Sequence, residues 1–180
     1  MASKAKVPPH SNKAEGSILG SLLLSKDAMM DVVEIVSPEM FYEDKHQRIF
    51  EAIRSLYEAR EPIDVVTVSE WLKKNDDLKK VGGSSYLSEL VNSVPTAAHA
   101  KGYAQIIKNH FIKREMIDSA SQLVELAFDD GAEVEQVLDK AEREIFGLSQ
   151  KNLRGGFVPV KEALAESFDR LDELHKGPME

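Results

Sequence analysis

The chain has 180 residues, 42% hydrophobic and 30% charged, with a formal net charge of −8 and no cysteine. This composition supports one folded core with room for an appendage and excludes a disordered chain, while the missing cysteines exclude disulfides and thiolate metal centres and fit a reducing cytoplasm. No apolar run approaches the roughly 20 residues of a membrane span, and the acidic balance argues against tight binding to a phosphate backbone, where Lys and Arg supply the affinity.

The opening "MASKAKVPPH" is basic with no apolar stretch behind it, so residues 1–12 are read as a flexible arm and not as a secretory signal. Beyond it the apolar spacing is helical nearly everywhere, which predicts an all-α fold. Helices are expected at 13–24 and 26–36, a short helical turn at 38–41, and further helices at 45–59, 67–75 and 84–93. A long helix over about 98–129 and a returning one at 133–149 follow. The predicted starts rest on Asn12 with Glu15, Asp44 with Gln47, and Thr67 with Glu70 as capping pairs, and on Pro38 at the first position after Ser37. "PIDVVTV" is β-branched but short and runs straight into a helix start, so no strand is predicted.

The punctuation divides the chain. Residues 13–110 are read as a compact helical globular body, and residues 111–149 as a helical hairpin turned at Asp129-Asp130-Gly131. "QKNLRGGFVP", 150–159, is a linker by its glycines, proline and polar residues. A tethered amphipathic helix spans 160–176, with Leu164, Phe168, Leu171 and Leu174 on one stripe opposite Glu162, Glu166, Asp169 and Glu173. Such a helix usually lies in a groove on another surface.

The stretch "SPEMFYEDKHQRIF" brings Glu39, Glu43, Asp44 and His46 together and raises an acid–base or metal site. Phe41, Tyr42, His46, Ile49 and Phe50 read instead as structural core. Ile49, Phe50 and Ile53 share one helical face, Phe41 sits where it can staple the first turns, and Asp44 reads as the cap. His46 is expected to be partly buried and hydrogen-bonded, and the other histidines are scattered without metal-ligand spacing. "VGGSSY" and "RGGFVP" lack the lysine of a phosphate loop, and "EGSILG" has the wrong spacing for a serine elbow. No catalytic, cofactor-binding or metal site is assigned, and the chain is not expected to be an enzyme by itself.

The hairpin asks for a partner. Met116, Ile117, Leu123, Val124 and Phe128 lie on its outgoing helix, and Val137, Leu138, Ile145 and Phe146 on its returning one. These stripes are wider than two helices need to cover each other. The expectation is that two hairpins pair as a four-helix bundle, with self-association through Met116, Ile117, Leu123, Val124, Val137, Leu138 and Ile145; the alternative is a hairpin folded down onto the body.

In order and spacing, "PPHSNKAEGSILGSLLLS", "MFYEDKHQRIFEAI", "PIDVVTVSEWL", "GGSSYLSEL", "VPTAAHAKGYAQII", "KREMI" and "DKAEREIFGLS" resemble the N-terminal domain and linker of bacterial DnaB-type replicative DNA helicases. Gly16, where a longer polar side chain is expected, departs from the pattern. The resemblance implies a six-helix globular body and hairpin-paired dimers, assembled as a trimer of dimers into a hexameric collar that receives primase, with a helicase loader as a further candidate partner. It implies weak DNA contact, a bacterial cytoplasmic location, and a linker helix docked on a neighbouring subunit. ATP and magnesium would belong to a RecA-like motor domain beginning near 177–180, of which this chain carries nothing more. Two other readings stand beside it: a helicase-binding C-terminal domain of a primase, which should end at its hairpin, and a histidine-metal hydrolase.

Overall fold

In the computed structural model, which describes residues 7–129, 131 and 133–153, the chain is helical, with no strand among the described residues. The elements are α1 (Asn12–Leu24), α2 (Ala28–Val32), a 3₁₀ turn (Pro38–Met40), α3 (Asp44–Glu58), α4 (Val65–Lys74), α5 (Gly83–Asn92), α6 (Ala100–Ala127) and α7 (Val134–Leu153). The expected linker helix, with Leu164, Phe168, Leu171 and Leu174, and residues 177–180 lie outside the described residues.

α1 is the central post of the body. Its "ILGSLLL" run is apolar on every side, and Ile18, Leu19 and Leu22 are fully buried against α3, α5 and α6. A helix apolar all round belongs in a core. Phe41, Ile49, Phe50 and Ile53 close the core from the α3 side, with the Phe41 and Phe50 rings 4.9 Å apart. Each such buried side chain stabilises the fold by about 1.5–3 kcal/mol.

Most expected helices are present, and their starts differ in instructive ways. Ser11, not Asn12, caps α1, accepting the Ala14 N–H at 3.2 Å, while the Asn12 amide reaches 3.1 Å to Glu43. Glu43 occupies the position before α3, and Asp44 turns to Arg48 at 2.8 Å instead of capping. α4 starts earlier than predicted because Asp64 and Thr67 form a reciprocal capping box. α2 is only 5 residues long where a helix over 26–36 is predicted. The β-branched run Val32, Val33, Ile35 and Val36 weakens it, and Pro38 turns the chain. α7 runs on through Leu153, over the first residues of the predicted linker.

Two glycine features place these helices. Gly82 and Gly83 have φ of 99° and 74°, a left-handed pair that turns the chain into α5. Gly20 sits where α1 meets α5, and a Cβ there would stand 2.2 Å from the Leu90 carbonyl oxygen. Gly16, one turn earlier, faces Leu90 at 3.4 Å, so its small size belongs to the same helix contact. Gly20→Ala is expected to push α5 off α1 and destabilise the body by about 1–3 kcal/mol. Urea unfolding followed through Trp71, the single tryptophan, reads this directly, and an unshifted midpoint would remove the close-approach argument.

Candidate interaction surfaces

The residues that first suggest chemistry build a buried brace. Glu15 on α1 is 2% exposed and is no capping acceptor. It accepts the Tyr42 N–H at 2.7 Å and the Glu43 N–H at 3.3 Å, and its other contact is His46 Nδ1 at 2.7 Å. His46, also 2% exposed, is held on its second nitrogen by the Tyr86 hydroxyl at 2.7 Å. Lys45 closes the outer side, its ammonium 4.0 Å from the centre of the Tyr86 ring. Carboxylate, imidazole and phenol thus tie α1, α3 and α5 together. Both Glu15 oxygens and both His46 ring nitrogens have a partner within this chain of contacts. Phe41, Ile49 and Phe50 take the core places expected of them; Tyr42 is half-buried and His46 is buried more deeply than expected.

The root of the hairpin is a second constellation. Buried positions on α6 are Ala100, Ala104, Ile107 and Lys108, so beyond this segment the helix leaves the body. There the Arg114 guanidinium donates to the Pro9 carbonyl at 2.8 Å and to the Met40 carbonyl at 2.7 Å, and lies over the rings of Tyr42 and Phe111. His10 stacks on Tyr42 with centroids 4.2 Å apart. The end of the arm read as flexible is therefore packed down at Pro9 and His10. Nothing in the sequence pattern singled out Glu15, Tyr86 or Arg114 for these duties; their partners are 27 to 105 residues away.

Above the root, α6 and α7 lie against each other. Leu123 and Val137 are half-buried, and the Ser119 hydroxyl bonds Glu144 at 3.0 Å across the pair. Ile117, Val124, Phe128, Val134, Leu138 and Ile145 are left out, between 49% and 84% exposed. Their i+4 and i+7 spacings put Ile117, Val124 and Phe128 on one face of α6, and Val134, Leu138 and Ile145 on one face of α7. Met116 and Phe146 are also open, at 54% and 65% exposed. Of the seven residues expected to self-associate, Met116, Ile117, Val124, Leu138 and Ile145 are open, while Leu123 and Val137 join the two helices of one hairpin.

Two clefts accompany these surfaces. One of about 330 Å³ lies at the hairpin root among Tyr42, Phe111, Arg114 and Ile117, and one of about 460 Å³ lies between α2 and the end of α3 among Met30, Tyr57 and Ile63. No serine, threonine or histidine lines either, and among the described residues no His, Asp and Glu group could hold a metal ion.

The comparisons agree with this architecture. The family model for the DnaB-like helicase N-terminal domain matches residues 7–109. The replicative DNA helicase DnaB of Geobacillus stearothermophilus is 36% identical over 170 residues, 94% of this chain and 37% of its own length. That of Rhodothermus marinus is 38% identical over 173 residues, 96% of this chain but 18% of its own. The crystal structure of the N-terminal domain of DnaB helicase from Mycobacterium tuberculosis superposes with a TM-score of 0.75 at 40% identity, covering 78% of this chain and 99% of that one. A structure of a DnaB-like replicative helicase and its interactions with primase shares the fold, with a TM-score of 0.67 at 23% identity over 91% of this chain and 36% of that one.

Two predictions follow from the buried groups. Glu15→Gln sets an amide NH₂ against donors that need acceptors, and should cost about 2–3 kcal/mol in urea unfolding. An unchanged midpoint would mean the brace holds nothing. His110 Nδ1 is buried without a hydrogen-bond partner, and burial, then Lys113, Arg114 and His10, hold its pKa below the ordinary value against the opposite pull of Glu15. The unfolded chain therefore takes up this proton first, so stability should fall as pH drops through about 6.5, and His110→Gln should flatten that limb. Asp77, held low by Lys80 and Arg48, loses its contribution only below the ordinary carboxylate range of about 4, which keeps the two limbs separable.

Proposed function

The chain belongs to the family of DnaB-like helicase N-terminal domains, and from that premise we propose that it is the collar module of a bacterial replicative helicase, pairing with its own copies and receiving primase. The observation that carries this reading is the open apolar side of the hairpin, with Val124, Leu138 and Ile145 each more than half exposed. A lone chain leaves that side in water, whereas a second hairpin laid against it buries it as a four-helix bundle. A two-fold contact of this kind presents the same patch from both copies. Three such pairs would close a hexamer.

ATP hydrolysis and unwinding, with their magnesium, would belong to the motor domain of the intact helicase. The collar would hold motor domains at high local concentration while they move, which is what linked modules do for weakly associating partners. Primase docking is supported by the shared fold with the helicase described together with primase. The cytoplasm is the compartment such a machine requires. No helix among the described residues is long and apolar enough to cross a membrane.

Light scattering across a concentration series tests the assembly. The parent chain is expected to show a mass that rises to at least a dimer, and Leu138→Asp to remain a monomer with unchanged helix content in far-ultraviolet circular dichroism. Equal masses for both would refute the hairpin contact. Leu123→Asp is the poorer probe, since it also breaks α6 from α7. Single-stranded DNA should bind the chain only weakly, and more weakly as salt rises; tight, salt-resistant retention in a filter assay would overturn that part.

A further inference from the structure

We infer that Arg114 is the positioning residue of the hairpin: its fork fixes the direction in which the hairpin leaves the body, and so the direction in which the open side is presented. The inference deepens the reading above and rests on it for its assembly consequence alone.

α6 is one uninterrupted helix of 28 residues shared by body and hairpin. Its buried anchors end at Lys108, and from there only the root contacts fix its course. Arg114 lies about one and two-thirds turns past Lys108. Its two terminal nitrogens donate to carbonyls on separate pieces of the body, Pro9 on the arm and Met40 in the 3₁₀ turn. A planar fork bonded at both tips fixes orientation as well as distance, which a single ammonium cannot do. The guanidinium also lies within 5.7 Å of the ring centres of Tyr42, after the turn, and Phe111, on α6 itself, and the His10 ring stacks on Tyr42. Pro8 and Pro9 stiffen the arm where it supplies its carbonyl. Three segments thus converge on one side chain at the point where the helix loses the support of the core.

Such a clamp acts on assembly through pre-organisation. Two hairpins that pair must also leave their bodies where the next pair can form. A hairpin free to swing loses that freedom on association, and the loss weakens binding without any contact being removed. Of the open residues only Ile117 shares a cleft with Arg114; Val124, Phe128, Val134, Leu138 and Ile145 lie farther along the hairpin, so an effect on their pairing has to run through direction.

The chain has no native cysteine, so spin labels can be placed cleanly at two exposed sites, Glu51→Cys on α3 and Gln136→Cys on α7. Pulsed dipolar spectroscopy on the full chain in the Leu138→Asp background measures the body-to-hairpin distance in a monomer. Arg114→Ala is expected to broaden that distribution about twofold and, without Leu138→Asp, to raise the dimer dissociation constant about tenfold. Arg114→Lys, which keeps the charge and one bond, should fall between. Unfolding monitored at Trp71, remote from the root, should be nearly unchanged. Removal of residues 1–9 takes away one carbonyl while leaving Arg114 in place, and should broaden the distribution even if Arg114→Ala folds poorly. An unaltered distribution in Arg114→Lys and in the truncation would overturn the positioning role. A broadened distribution with an unaltered dissociation constant would overturn its consequence for pairing. A parent chain that stays monomeric at every concentration would defeat the collar reading, while the monomer distances still decide the role of Arg114.

Discussion

A carboxylate sits almost out of water at the centre of this body, and the arrangement of the surrounding helices depends on keeping it satisfied. Glu15 meets that demand with two backbone amides from the turn before α3 and with the His46 ring. Since a buried carboxylate stripped of partners is among the costliest groups a core can contain, α1 and α3 are held to a narrow range of relative positions. Tyr86 extends the same demand to α5 through the far nitrogen of the histidine. Apolar packing alone would tolerate several sliding registers among these helices. The polar chain selects one.

That fixed register explains the division of labour along the molecule. The body has buried most of its apolar side chains in itself: Ile18, Leu19, Ile49, Phe50 and Ile53 are fully buried, while Met30 and Val66 stay open. The hairpin has used only half of its own, the line through Leu123 and Val137, and offers the rest. α6 joins the two regimes without a break, its first turns buried in the body and its later turns carrying Val124 and Phe128 in the open. The buried core thus lies at one end of the molecule and the open apolar side chains of α6 and α7 at the other.

Much of this was legible in the sequence because it is local. The 3.6-residue spacing of Ile49, Phe50 and Ile53 announces a face, Gly82-Gly83 announces a turn, and the oversized stripes of 116–146 announce a surface needing cover. The body–hairpin boundary read near residue 110 falls inside α6, which runs unbroken from Ala100 to Ala127. What escaped is what depends on distant partners. Glu15, three residues after a plausible cap, looked like an ordinary helix-start carboxylate, and its burial is settled only by α3 arriving overhead. Asp44 resembled a cap more than Glu43 does, because the bonds made by Asn12 and Arg48 are invisible in one dimension. Arg114 sat in "KREMI" among other charges, and nothing nearby marks it as the one whose acceptors lie beside the first residues of the chain. Leu123 and Leu138 look alike in the sequence, yet only the crossing of α6 over α7 makes one an internal contact and the other an open one.

The continuity of α6 has a mechanical consequence. From Arg114 to Ala127 the helix reaches about 20 Å beyond its clamp, at 1.5 Å per residue. A ten-degree tilt at its root would therefore sweep the tip, with Phe128, through about 4 Å. The molecule is geared: slight adjustments where the arm meets the helix are magnified into displacements as large as a side chain at the far end.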